Sequence, residues 1–211
     1  MRTETFENFI ADERGAETVE ALKSVCASPE GRLILLYGRS GAGKTHLCRA
    51  YLAAAVRDTI YCSADTIRLA FSESLRKGGK EMLFDAFAPF DLLLEDLEYI
   101  SFSFRTELLS ELVRRQTAAG RLVVATVAIA PKNKDAMLSD PRWQDAGLRI
   151  LEVPTPDRET LRAYARRKLA GDGVEPTEAV LDRLLNDRRA ATVSGLNGLL
   201  LDTVAAVRYA S

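Results

Sequence analysis

The chain has 211 residues, 29 basic and 30 acidic side chains, and a formal net charge of −1, so no global field draws it to a nucleic-acid or membrane surface. Its length suits one compact α/β core with room for a small second subdomain, and its composition, 47% hydrophobic and 28% charged, is that of an ordinary soluble globular protein. Cys26, Cys48 and Cys62 are widely spaced and His46 is the single histidine. That excludes a zinc site by ligand spacing and suits buried thiols in a reducing cytosol. The opening MRTETFENFIADERG carries no apolar leader and no apolar run reaches spanning length, so a cytoplasmic protein with no membrane contact is expected.

The first apolar run, Leu33 to Tyr37, leads at once into a glycine-rich turn and predicts a buried strand. Lys44 to Val56, rich in alanine and leucine, predicts a helix, and Thr59 to Cys62 a short second strand. Ala64 to Lys77 predicts a helix stopped by Gly78-Gly79, and Glu81 to Phe87 another that ends at Pro89. Asp91 to Glu95 is an apolar strand running into acids. Phe104 to Ala119 has helical periodicity and ends at Gly120; Leu122 to Val127 and Leu148 to Val153 are the last strands. Strands separated by helices imply βαβ crossovers and a mainly parallel sheet. Beyond Pro154 and Pro156 the pattern turns all-helical, over 157–170, 177–186 and 192–209. A boundary near Thr155 is expected, with an α/β core over 1–154 and a helical lid over 155–211.

Between the first strand and its helix lies GRSGAGKT, a full match to G-x-x-x-x-G-K-[ST] in the context that motif requires. Gly38, Gly41 and Gly43, with Ser40 and Ala42 between them, let the backbone curl so that its N–H groups face phosphate oxygens. Lys44 supplies a mobile charge for the β- and γ-phosphates, and the Thr45 hydroxyl a ligand for Mg2+. His46 stands with these cofactor-binding residues, its ring read as first-turn packing rather than as a catalyst. The expected cofactors are ATP or ADP and Mg2+.

Such a loop needs a carboxylate at a nearby strand end, and DLLLEDLEYI supplies it. By position Glu95 is the metal-side acid and Asp96 the water-side acid. Because adjacent strand residues face opposite ways, a shift of one residue gives the metal to Asp96 and makes Glu98 the base.

These segments together resemble the AAA+ ATPase domain of the bacterial replication initiator DnaA and its stand-alone Hda-like relatives. TFENFI is similar to that family's entry segment, GRSGAGKTHL to its phosphate loop, TIYCSADTI to a YxSAE segment and FDLLLEDLEYI to DLLLIDDIQFL; TVSGLNGLL resembles NVRELEGAL. The resemblance spans nearly the whole chain. It implies a P-loop AAA+ core with a mainly parallel five-stranded sheet flanked by helices, then a small all-helical lid. It places Phe9 and Ile10 on the adenine and Thr126 on the polar sensor strand, where Val127 and Ala128 replace a polar pair. It matches Ser194 to the lid arginine that touches the γ-phosphate, a residue too short to replace it. Arg188 and Arg189 lie nearby at the wrong offset. Arg142, in DPRWQDAG, is either the trans-acting arginine finger or a solvated loop arginine, with Arg149 the alternative finger and Trp143 a lid or subunit contact.

The resemblance also implies partners: self-association, or assembly with a DnaA-like AAA+ protein that regulates or assists replication initiation. Arg76, Lys77 and Lys80 fall where the initiator meets single-stranded DNA, but with no aromatic between them they read first as charges at exposed helix ends. The initiator's helix-turn-helix domain and the clamp-binding motif of the inactivator are not found in the sequence. A helicase loader, or a nucleotide-binding scaffold with little hydrolysis, is the alternative; any ATPase activity is expected to be weak.

Overall fold

The computed structural model describes residues 4–101, 108–128 and 146–210. Five strands, β1 (Leu33–Gly38), β2 (Thr59–Ser63), β3 (Asp91–Glu95), β4 (Val123–Ala128) and β5 (Arg149–Glu152), form one sheet in the order β2-β3-β4-β1-β5. All four pairings are parallel. β1 lies between β4 and β5, so the strand order reverses beside it and a crevice opens at its carboxyl end.

Every residue of β1 and β3 is buried, as a strand covered on both faces requires. Alternation divides their side chains between two cores. Leu33, Leu35, Leu92, Leu94, Val123 and Ala125 join one, packed with α3 (Ala64–Lys77), α4 (Lys80–Phe87) and α5 (Ser110–Ala118). Ile34, Leu36, Leu93 and Val124 join the other, beneath α1 (Glu13–Ala27) and α2 (Lys44–Ala54). A third apolar cluster is built from residues 161–204 alone, on α6 (Arg158–Gly171), α7 (Glu178–Asn186) and α8 (Val193–Ala210).

Local chemistry sets the boundaries. Ser63 accepts from the Thr66 N–H at 3.2 Å to start α3, and Gly78 ends it by donating to the Ser74 carbonyl at 2.9 Å. Asp157 and Thr177 cap α6 and α7 in the same way. Thr192 Oγ1 accepts from the Gly195 N–H at 3.1 Å at the start of α8. The strands and helices predicted from sequence appear within a residue or two of their expected ends where those ends are described; the expected start of the Phe104–Ala119 helix lies outside the described residues, and α5 is described from its π-helical entry at 108–109 onward.

α1 is the element that the pattern reading passed over. Its buried positions, Gly15, Thr18, Val19, Leu22, Val25 and Cys26, recur at helical spacing. Asp12 caps it, accepting from the Gly15 N–H at 2.9 Å. Among the described residues no helix is long and apolar enough to cross a membrane.

Candidate nucleotide site

β1 delivers the loop into the crevice at its own carboxyl end. Gly41 and Gly43 have φ of 77° and 105°, a region that favours glycine. Neither has room for a side chain: a Cβ on Gly41 would lie 2.8 Å from Thr192 Cβ, and one on Gly43 would lie 2.7 Å from Phe9 Cε2. A Cβ on Gly38 would run into the Val153 carbonyl. The loop is thus wedged between the N-terminal segment, the end of β5 and the start of α8.

α2 begins at Gly43 with no side-chain cap, unlike α1, α3, α6 and α7. Its first-turn N–H groups and the positive end of its dipole form an anion-binding terminus. Lys44 is 7% exposed and its ammonium donates to the carbonyls of Gly38 and Arg39, each at 3.0 Å. Burial pulls its pKa below the ordinary lysine value, while Glu98, Asp96 and Glu95, in that order, pull it back up. The charge is therefore held over the loop by backbone oxygens and three nearby acids. Ser40 and Thr45 are exposed on the loop and first turn; Ala42 is fully buried beneath them.

The acids come from the end of β3. Glu95 is 3% exposed and lies on the α2 face of the sheet, because Leu93, two residues before it, packs in that core. The Tyr61 hydroxyl donates to Glu95 Oε2, while Oε1 is buried with no hydrogen-bond partner among the described residues. The Cys48 thiol is fully buried beside this carboxylate; burial first, and then Glu95, push its pKa well above the usual thiol range. Cys26 and Cys62 are buried and unpaired too, and burial raises both.

Asp96 corrects the strand-alternation argument. It has left the strand, with φ 62° and ψ 43°, and begins a 3₁₀ turn over Leu97–Tyr99. Its N–H donates to Thr126 Oγ1 at 3.0 Å across the sheet. The turn also brings Glu98 to the end of β4, where Oε2 accepts from the Ala128 N–H at 2.9 Å. All three acids thus lie at one strand end, within electrostatic reach of Lys44. Thr126 serves as an anchor for the Asp96 backbone, buried to 1% exposure.

The oxygens present suit a hard divalent cation. Thr45 offers a hydroxyl at the helix start, and Glu95 offers a buried, unpartnered Oε1 that a cation or its water shell satisfies. No cluster of three His, Cys, Asp or Glu residues with metal-site geometry occurs among the described residues.

The N-terminal segment closes one side of the loop. Phe6 is buried in the α1–α2 core, and Phe9 lies over Gly43 with its ring edge-on to His46, centroids 5.3 Å apart. The His46 ring shares a 2.9 Å hydrogen bond with the Thr5 carbonyl, and Arg49 pairs with Glu4 at 3.1 Å. His46 thus fastens this segment to α2. Phe9, Ile10 and Ala11 face Thr160, Ala163, Tyr164 and Arg167 of α6 across a cavity of about 280 Å3. The α6 residues were not foreseen; their only signal is a helix face whose partner lies some 150 residues away in sequence.

Ser194 is exposed in the first turn of α8, two residues after the loop contact at Thr192. Arg189 is held away by ion pairs to Asp187 and Asp202, at 3.1 and 3.3 Å. Arg149 is exposed on the edge strand β5. Arg142 and Trp143 lie outside the described residues. Arg76, Lys77 and Lys80 are exposed around the α3–α4 corner, and Lys77 pairs with Glu73 at 2.6 Å.

Comparison with known proteins points the same way as this geometry. A chromosomal replication initiator protein DnaA from Porphyromonas gingivalis is 24% identical over 210 residues, covering 94% of this chain and 44% of the relative. The chain therefore spans under half of the length of that relative. An AMPPCP-bound DnaA from Aquifex aeolicus superposes with a TM-score of 0.77 at 26% identity, over 95% of this chain and 64% of that one. A DnaA bound to AMPPCP and single-stranded DNA gives 0.76 at 25%, over 95% and 64%. The fold is that of the AAA+ P-loop core with a helical lid, and it resembles the AAA+ domain of DnaA. A family description, AAA domain, matches residues 33–191, from β1 through the turn before α8, and the chain belongs to that family.

Proposed function

We propose that the chain is an ATP-binding AAA+ module of the replication-initiator type, acting by nucleotide-dependent assembly with itself or with a DnaA-like protein. One observation carries this reading: the Gly38–Thr45 loop, the β3 acids and the start of α8 meet at one crevice, beside a cavity walled by the N-terminal segment and α6. In this reading the boundary near Thr155 divides a nucleotide-binding core from its lid. The N–H groups from Gly41 to His46 and the Lys44 ammonium take the phosphates, and Phe9 and Ile10 take the base. Mg2+ supplies charge neutralisation between the phosphates when bound, with Thr45 and Glu95 as its protein-side oxygens. Asp96 or Glu98 orients water, Thr126 fixing the first and Ala128 the second.

Turnover is slow in this account. Ser194 has no charge to place on the γ-phosphate, and Arg189 is committed to Asp187 and Asp202. These two features also favour a second reading, a nucleotide-switched scaffold with little hydrolysis. The DNA contact at Arg76, Lys77 and Lys80 is a weaker proposal, since Lys77 already has a partner.

Sedimentation of the purified chain, alone and with purified DnaA, in ATP, ADP and no nucleotide tests the assembly. A larger species that requires ATP supports the proposal. An unchanged monomer under all conditions contradicts it.

A further inference from the structure

Glu95 poses a problem that its surroundings answer. A glutamate has a longer, freer side chain than an aspartate, so placing its carboxylate at a metal-side position costs more rotamer entropy. A tether that fixes the carboxylate removes that cost before the cation arrives. The structure contains such a tether on the neighbouring strand.

β2 and β3 are parallel with Ser63 opposite Glu95 and Tyr61 opposite Leu93. Tyr61 therefore projects from the same face of the sheet as Glu95, one side-chain step back along the strands, a diagonal that a long side chain spans. Its hydroxyl donates to Glu95 Oε2. The ring is 36% exposed, whereas the carboxylate that it holds is 3% exposed. The other oxygen, Oε1, is buried and has no hydrogen-bond partner among the described residues. A buried carboxylate oxygen without a partner is costly, and here it belongs to the acid beside the Cys48 thiol of α2.

We propose that Tyr61 is a positioning residue: its hydroxyl pins one oxygen of Glu95 so that the other is presented, pre-oriented, to the divalent cation of a bound nucleotide. The inference rests on the nucleotide-site reading and assigns to β2 a part in metal binding. Tyr61 touches neither nucleotide nor cation; it acts through Glu95. The arrangement is specific to glutamate at this position, since an aspartate, shorter by a methylene, falls about a bond length short of the hydroxyl.

The test is Tyr61→Phe, which keeps the ring and removes the hydroxyl. The affinity of a fluorescent ATP analogue is measured in EDTA and across a Mg2+ titration, in the wild-type and Glu95→Asp backgrounds. The expected result is unchanged affinity in EDTA, about tenfold weaker apparent Mg2+ affinity for Tyr61→Phe, and no further effect of Tyr61→Phe once Glu95 is aspartate. Tenfold corresponds to about 1.4 kcal/mol, just under the ~1.5–3 kcal/mol of one hydrogen bond to a charged group. An unchanged Mg2+ titration for Tyr61→Phe overturns the proposal. So does an equal loss in both backgrounds, or a loss already present in EDTA, since either marks a general structural effect. Failure of the wild-type chain to bind the analogue at all instead overturns the nucleotide-site reading, and this proposal with it.

Discussion

Replacing Gly43 with alanine leaves every N–H of the phosphate loop in place and changes only what the backbone and Phe9 must tolerate. Two contributions are separable. At φ 105° and ψ 14° the residue lies in left-handed space and away from its minimum, which costs an L-residue about 1–2 kcal/mol. The added methyl would also sit 2.7 Å from Phe9 Cε2 and 3.3 Å from Cζ. Carbon contacts prefer about 3.5–4.0 Å, so the ring must withdraw by about 1 Å from its seat against His46. Overpacking of this kind costs about 1–3 kcal/mol, and the low end applies because Phe9 is only half-buried on a short segment. The sum is about 2–4 kcal/mol in the wild-type background. In a Phe9→Ala background the clash disappears and the backbone contribution of about 1–2 kcal/mol remains. Urea unfolding of the four proteins gives the coupling directly, and it should be about 1–2 kcal/mol. Coupling below about 0.5 kcal/mol would refute the placement of Phe9 on the loop.

Two further outcomes follow from pairs distant from the loop. Asp91 is 1% exposed; Oδ2 accepts from Arg57 Nε at 2.9 Å and Oδ1 from the Leu122 N–H at 2.9 Å, tying β3 to the approaches of β2 and β4. Asp91→Ala strands both donors and should cost about 3 kcal/mol in urea unfolding, the low end for a broken buried pair because Arg57 is partly exposed; a loss under about 1 kcal/mol contradicts this. On α5, hydrogen bonds from Arg114 and Arg115 hold the Glu111 carboxyl down at about 2, against an ordinary 4.5. A depressed carboxylate stabilises the fold fully above its unfolded value and ceases to do so as pH falls through its folded one. The melting-temperature gap between wild type and Glu111→Gln should therefore be constant above about pH 5 and close towards pH 2; a gap that widens on acidification contradicts it.

Much of this arrangement is legible in the residues because it depends on local chemistry. GRSGAGKT between an apolar strand and an alanine-rich helix fixes the loop, and Ser63, Gly78, Asp157 and Thr177 mark helix ends through contacts three or four residues long. α1 had an equally local signal, Asp12 followed by buried positions at helical spacing, yet Gly15 in its first turn weakens the pattern. Asp96 shows a different limit. Period-two alternation holds only while the strand lasts, and a left-handed residue directly after Glu95 ends it. What no local pattern reveals is partnership across the sheet or between distant segments. Tyr61 with Glu95, Thr126 with Asp96, and Phe9 and Ile10 with α6 each require the fold to bring them together.

The central claim, that the loop from Gly38 to Thr45 holds the phosphates of ATP, is tested most directly by calorimetric titration of ATP·Mg2+ into the wild type and Lys44→Ala. The Lys44 ammonium bridges the Gly38 and Arg39 carbonyls over the loop, and its removal takes away the buried positive charge at the start of α2. The account predicts saturable binding by the wild type and loss of most of that affinity in the variant, with the fold retained. Equal affinity in the two proteins would contradict it.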